Sequence, residues 1–135
     1  MLKKFDLVIN SLKAHSANKT AETVSKLLHK DTVILPTLNG IPWWFFYKFG
    51  GQYDNYQLTS VDPNGLQWKY INPTRVIGSV VYPAATISSP GVINHLEGKR
   101  LILGEPDDIK TERVMKLSKL FFDAGLNLSF HFLLL

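Results

Sequence analysis

The fold is decided by residues 6–40, which read DLVINSLKAHSANKTAETVSKLLHKDTVILPTLNG. Two short apolar runs, at 6–12 and 32–38, have the composition of buried strands. The residues between them are apolar at helical spacing, and either Ser16 or Asn18 has the chemistry of a helix N-cap. The apolar stripe consists of Ala21, Val24, Leu27 and Leu28. A strand, a helix and a strand in this order predict a βαβ unit with parallel strands.

The following residues predict a β-rich segment. Strands are expected at 75–82, 92–97 and 100–103. Gly98-Lys99 is a tight-turn signal, which predicts that the last two strands form a hairpin. Together with the βαβ unit, this order predicts an α/β fold: the later part of a doubly wound sheet, with a mixed edge that contains a β-hairpin.

Helices and loops are predicted for most of the remaining chain. The run IPWWFFYKF at 41–49 allows a helix to open at Pro42. Residues 50–74 contain many turn formers and predict a long loop with one or two short elements. Residues 111–124 are amphipathic and predict a helix that ends at Gly125, followed by a final strand. The aromatic run is expected to pack in the core or between domains. A wall over an active site and a membrane-surface contact are the alternatives.

Length and composition exclude several classes of protein. The 135 residues form one domain, 1–135, and the apolar fraction of 45% is typical of a globular chain. The net charge of +4 comes from scattered basic residues without a cluster, which argues against a nucleic-acid partner. The chain has no cysteine, its four histidines are dispersed, and no metal site is expected. No signal peptide or membrane span is recognisable, so a cytoplasmic location is expected.

Two polar residues follow the predicted parallel strands. Lys13 follows the first strand and Asn39 follows the second, directly before Gly40. In a doubly wound sheet, ligands bind at the carboxyl ends of the strands, so both side chains are candidates for one ligand crevice. Asparagine both donates and accepts hydrogen bonds, and lysine supplies a positive charge for an anionic group. The alternative is an ordinary Asn-Gly turn beside a solvated lysine.

Other titratable residues give weaker signals. Glu97 and Glu105 lie in or beside the predicted hairpin and have no partner carboxylate, so both are expected at the surface. His15 is the histidine nearest to the crevice, where a proton carrier and a turn residue with a backbone partner are the two interpretations.

An ordered set of short stretches resembles ketopantoate reductase (2-dehydropantoate 2-reductase). The resemblance covers nearly the whole chain and implies a Rossmann-like nucleotide-binding domain. The matching stretches are LKA (12–14), LNGIPWW (38–44), RVIG (75–78), VYPAA (81–85), GVINH (91–95) and LGEP (103–106).

This resemblance implies both an activity and a set of site residues. The family reduces 2-dehydropantoate, a 2-keto acid, to pantoate with NADPH during pantothenate biosynthesis. Asn39 matches an asparagine that contacts cofactor and substrate, Lys13 matches a lysine near the nicotinamide end of the cofactor, and the backbone of Ala84 matches a position beside the cofactor.

The chain also departs from the family pattern. It has no glycine-rich G-x-G-x-x-G turn, and it lacks the helical domain that carries the general acid of the family, so no catalytic residue is expected within it. A truncated or split gene with little or no activity is therefore the leading hypothesis. The alternatives are a non-catalytic partner that completes a split enzyme with a complementary protein fragment, and a stand-alone nucleotide-binding module.

Overall fold

The computed structural model describes residues 3–130 and begins with the predicted βαβ unit. Strand β1 (Phe5–Asn10) leads into helix α1 (Ala14–Ser25), and strand β2 (Leu28–Pro36) follows. The two strands are parallel neighbours, and their last residues lie opposite each other. The predicted βαβ unit is therefore confirmed.

The N-terminus of α1 differs from the prediction. The helix begins at Ala14 with Lys13 as its N-cap, so Ser16 and Asn18 lie within the helix and cap nothing. Asn18 instead donates a hydrogen bond of 2.7 Å from Nδ2 to Oδ1 of the buried Asp62. The prediction was wrong because the partner of Asn18 is distant in sequence.

The start of β2 also lies earlier than predicted. Leu28 pairs with Phe5 in β1, so it belongs to the strand and not to the helical stripe. The register of the β1–β2 pair shifts between Phe5 and Leu7. At this irregularity the hydroxyl of Thr32 makes hydrogen bonds to the backbone of both strands. Its Oγ1 donates to the Phe5 carbonyl at 2.6 Å and accepts from the His29 amide at 2.8 Å.

The hairpin lies earlier in the chain than predicted. After strand β3 (Gly78–Val81), strands β4 (Ala84–Ser89) and β5 (Val92–Glu97) form an antiparallel pair. Strand β6 (Arg100–Gly104) pairs with β3, not with β5. Strands occur where they were expected at 92–97 and 100–103, but the predicted hairpin between them is wrong.

Gly98 has a different role from the predicted hairpin turn. Its φ is +79°, and a Cβ at this position would lie 2.8 Å from the carbonyl oxygen of Tyr82. The residue therefore allows the chain to leave the β4–β5 hairpin and pass close to the end of β3 on its way to β6.

The second sheet is mixed, as predicted. Strand β6 lies between β3, to which it is antiparallel, and strand β7 (Asn127–Phe130), to which it is parallel. A parallel bridge between Ile34 and Val76 links β2 to the chain just before β3, and the Ile77 amide donates to the Ile34 carbonyl at 2.9 Å.

The remaining elements are helical. The segment 50–74 contains the one-turn helix α2 (Leu66–Tyr70) and short 3₁₀ turns, where its turn formers predicted a loop with short elements. The 3₁₀ turns are Gly51–Tyr53, Pro63–Gly65 and Pro73–Arg75. Helix α3 (Glu112–Asp123) has Thr111 as its N-cap, and Gly125 follows it with a φ of +88°, which confirms the prediction for this helix.

The aromatic run at 41–49 forms successive turns and no helix, so the predicted helix start at Pro42 was wrong. Trp43 and Trp44 are buried and belong to one of two core clusters, whereas Phe49 is 52% exposed. The expectation of core packing is thus confirmed for the two tryptophans.

Two hydrophobic clusters lie on opposite sides of β2. Ile34 belongs to the cluster with the tryptophans, and its neighbour Leu35 belongs to the cluster against α3. The two residues separate because successive side chains of a strand point to opposite faces. No helix within residues 3–130 is long and apolar enough to cross a bilayer.

Candidate functional site

The carboxyl ends of β1 and β2 lie side by side. Asn10 and Pro36 are register partners, and the Thr37 amide donates to the Asn10 carbonyl at 3.0 Å. Lys13 follows the end of β1, and Asn39 follows the end of β2, so both leave the sheet at the same edge. The shared edge agrees with the predicted βαβ geometry, and a ligand crevice shared by the two side chains stays a prediction.

The side chain of Asn39 is held by the backbone of β3. Its Nδ2 donates to the Val81 carbonyl at 2.9 Å, and its Oδ1 accepts from the Val81 amide at 2.9 Å. A carboxamide has two N–H donors and two acceptor positions on its oxygen. One donor and one acceptor of Asn39 are therefore left over by this pair of bonds, and the residue is exposed.

A cavity of about 190 Å³ opens beside Asn39. Its wall is mostly apolar, and Ser79 adds a hydroxyl that donates to the Pro36 carbonyl at 2.6 Å. A small concave site with few polar groups is the usual form of a ligand subsite. The lining residues are Leu38, Asn39, Gly40, Pro42, Trp44, Ser79 and Val80.

The other two predicted site residues lie outside this cavity wall. Lys13 is exposed at the N-cap of α1, and Ala84 is the first residue of β4, where it pairs with Glu97. Ala84 is nevertheless near in sequence to Val81, whose backbone Asn39 holds. The structure thus joins Asn39 to the β3–β4 connection and places Lys13 at the same edge of the sheet, outside the wall of the Asn39 cavity.

Sequence reasoning missed the buried carboxylates. Glu105 was expected at the surface but is 6% exposed, because Thr111 Oγ1 and the guanidinium of Arg113 donate to it. Arg113 also donates to the carbonyls of Thr74 and Val76, at 2.7 and 3.2 Å. The hydrogen bond to Glu105 raises the pKa of Arg113 above its usual value, against the effect of burial. No local sequence pattern predicts this hydrogen-bond network, because its members come from separate elements.

A second buried carboxylate shapes the short helix α2. Asp62 is 1% exposed and accepts from the amides of Gln67 and Trp68 at 2.9 and 3.0 Å, in addition to Asn18. The signal that was available is the Asp-Pro-Asn-Gly sequence directly before the helix, because aspartate is a preferred residue at helix N-termini. Within residues 3–130, no three His, Asp or Glu side chains are grouped as metal ligands.

Comparison with known proteins gives a consistent family. The family model described as Ketopantoate reductase PanE/ApbA matches residues 1–42. A 2-dehydropantoate 2-reductase from Mesorhizobium japonicum is 46% identical over 121 residues, which cover 90% of this chain and 37% of that relative. An uncharacterized oxidoreductase from Bacillus subtilis is 26% identical over 119 residues, which cover 87% of this chain and 33% of that relative.

Solved structures agree with the sequence matches. The structure of a proposed ketopantoate reductase from Ralstonia solanacearum aligns with a TM-score of 0.88 at 35% identity, covering 95% of this chain and 40% of that one. A 2-dehydropantoate 2-reductase from Geobacter metallireducens aligns with a TM-score of 0.71 at 26% identity, covering 96% and 36%. The chain therefore spans well under half the length of these relatives, and over that span its sequence and fold match the ketopantoate reductase family of oxidoreductases.

Proposed function

We propose that this chain supplies part of the nucleotide-binding domain of a ketopantoate reductase-type enzyme. The proposed reaction is the NADPH-dependent reduction of 2-dehydropantoate to pantoate, a step of pantothenate biosynthesis. The observation that carries the proposal is Asn39, which stands at the shared carboxyl edge of two parallel strands and lines a cavity. The names of the relatives from Mesorhizobium japonicum and Geobacter metallireducens support the substrate.

The residues around Asn39 fit part of a nicotinamide cofactor. The unused donor and acceptor of Asn39 complement a carboxamide or a hydroxyl group, and the apolar wall formed by Pro42 and Trp44 suits a flat ring. Gly40 has a φ of +112°, and a Cβ there would meet no atom within 4 Å, so the backbone leaves open space beside the ligand. When bound, the cofactor would supply the hydride for the ketone.

Lys13 and Ala84 would lie at the rim of the same site. Lys13 would place a positive charge near an anionic group of the cofactor or the keto acid, since its side chain is exposed at this edge. Ala84 would contribute backbone where β4 begins, close to the Val81 peptide that Asn39 holds. Both assignments rest on the family match together with the position of these residues in the fold.

We further propose that the isolated 135-residue chain reduces its substrate slowly or not at all. The cavity of about 190 Å³ is smaller than the roughly 300–1,000 Å³ of common small-molecule sites. The chain also covers only 37% of the Mesorhizobium japonicum relative. Hydride transfer without a positioned proton donor loses on the order of 10²–10⁴-fold in rate.

The test compares binding with turnover. The purified chain is titrated with NADPH by calorimetry, and NADPH consumption is followed after addition of 2-dehydropantoate. We expect measurable but weak binding, its loss in Asn39→Ala, and unchanged binding in the control Asn94→Ala, which alters an exposed residue of the β4–β5 hairpin. If Asn39→Ala binds NADPH as well as the wild-type chain does, Asn39 is not part of the NADPH site. Rapid NADPH consumption by the wild-type chain would contradict the proposal that the isolated chain is inactive.

A second candidate function is that of a non-catalytic partner in a split enzyme. Phe5 and Ile9 of β1 are 41% and 51% exposed, and β1 pairs with β2 alone within the described part of the chain. A shallow cavity of about 420 Å³ also lies on the sheet face beside α3, lined by Leu7, Val33 and Ile77. A free strand edge beside an apolar face is a site where another chain adds to a sheet.

Complementation tests this second candidate. The part of the Mesorhizobium japonicum relative that does not overlap this chain is produced separately and mixed with it. Co-elution, together with reductase activity that appears only in the mixture, supports the partner function. A chain that stays monomeric and inactive in the mixture but still binds NADPH is instead the stand-alone nucleotide-binding module.

A further inference from the structure

The Asn39 cavity has a thin outer wall. Pro42 and Trp44 line it on one side, and the same two residues line a second cavity of about 180 Å³ on the other. Side chains that face empty space have no packing atoms there to oppose their movement. Trp44 is nevertheless fixed by the core, since it is 7% exposed and its ring lies edge-on to Trp43 at 5.3 Å between centroids. Pro42 is only half-buried, so its position also depends on how the segment 41–49 is held further along the chain.

The far end of that segment is held by an ion pair. Lys48 Nζ lies 2.7 Å from Asp107 Oδ2, and the Lys48 backbone has a φ of +54°, a left-handed conformation that is uncommon for lysine. The turn is stabilised by Asn55, whose Oδ1 accepts from the Lys48 amide at 3.2 Å and whose amide donates to the Phe46 carbonyl at 2.7 Å. Lys48 therefore adopts this left-handed conformation while its ammonium group is paired with the carboxylate of Asp107.

Asp107 sits on a fixed part of the molecule. It belongs to the turn after β6, which the Asp108 amide closes by donating to the Glu105 carbonyl at 3.1 Å. The buried carboxylate of Glu105 accepts from Thr111 and Arg113 at the start of α3. The side chain of Asp107 is only 16% exposed, whereas that of Lys48 is 54% exposed.

We propose that Lys48 and Asp107 are positioning residues for the Asn39 cavity. Their ion pair holds the segment 41–49 against the turn after β6 and so helps to set the position of Pro42 in the wall beside Asn39. Neither residue lines the Asn39 cavity, so the effect is indirect. Both also line a third cavity of about 230 Å³, so open space lies on either side of the ion pair. The inference relies on the proposed function only for the identity of the ligand.

A spin label measures the position of the segment without any ligand. The chain has no cysteine, so Ile41→Cys, at a residue 62% exposed, accepts a single nitroxide next to Pro42. We expect Lys48→Gln and Asp107→Asn to add a mobile component to the electron paramagnetic resonance spectrum, and Lys48→Arg to retain the wild-type line shape. The control is Glu112→Gln, which breaks another 2.7 Å pair, with Lys116, on the outside of α3.

Ligand affinity gives the second measurement. If the wild-type chain binds NADPH, Lys48→Gln should raise the Kd about threefold to tenfold, because the competent wall position is then only partly populated. If the wild-type chain does not bind NADPH, the proposed function fails and the label spectra alone decide this inference. Identical spectra for Lys48→Gln, Asp107→Asn and the control would overturn it, as would a mobile label in Lys48→Arg.

Discussion

Replacing Glu105 by glutamine tests whether the buried carboxylate network stabilises the fold. The side chain of Glu105 is 3% exposed and accepts hydrogen bonds from Thr111 and from two nitrogens of Arg113. Glutamine has nearly the same shape, but its amide nitrogen would point a donor at a guanidinium that is itself a donor. At least one hydrogen bond to a charged group is lost, and Arg113 loses its counter-charge.

The expected cost follows from these contacts. A hydrogen bond to a charged group contributes about 1.5–3 kcal/mol, and breaking a buried ion pair costs about 3–5 kcal/mol. The side chain of Arg113 is 36% exposed, so water partly replaces the lost carboxylate and the upper figures do not apply in full. We therefore expect the free energy of unfolding to fall by about 2–4 kcal/mol in Glu105→Gln.

Urea unfolding followed by circular dichroism measures this change. With a denaturant slope of about 2 kcal/mol/M, the midpoint should fall by roughly 1–2 M while the slope is unchanged. Glu112→Gln is the matched control, since this glutamate is also paired with a cation but is 77% exposed, and it should change stability by less than about 0.5 kcal/mol. A loss in Glu105→Gln no larger than in the control would refute the reasoning.

Two further predictions concern other carboxylates. Asp62→Ala removes the acceptor of three hydrogen bonds at a site that is 1% exposed, and it should lower the free energy of unfolding by about 2–4 kcal/mol, whereas the exposed control Asp54→Ala should have little effect. Burial raises the pKa of Asp107, but the hydrogen bond and charge of Lys48, with help from backbone amides, lower it overall. A carboxylate whose pKa is lower in the folded state stabilises that state above the unfolded pKa of about 3.9 and loses the effect as the pH falls through its folded pKa. The spin label at position 41 should therefore stay immobile until the pH falls below the folded-state pKa of Asp107. A label that is already mobile at a pH near 5 would contradict the prediction.

Strand positions were predicted better than strand partners. Residues 92–97 and 100–104 are both strands, yet they belong to different sheets. Alternation and turn residues act over a few positions and so mark where strands lie. Pairing of β6 with β3 and β7 depends on packing against α3 and on the register of distant strands, which local patterns do not contain.

The candidate site was predicted in part. Asn39 was placed at a strand end because a polar residue before glycine follows an apolar run. Its hydrogen bonds to Val81, 42 residues away, could not be read from that run. The same limit explains Glu105, whose burial depends on Arg113 in a separate helix.

The amino-acid sequence by itself determined the βαβ unit and the edge at which Lys13 and Asn39 emerge. Hydrophobic periodicity and turn chemistry are local, and each short segment carries them in full. Only the tertiary structure decided that Asn39 is bound to β3, that Glu105 is buried, and that Lys48 meets Asp107. These contacts join residues far apart in the chain, and they form only once the packing of the whole chain has brought the two partners together.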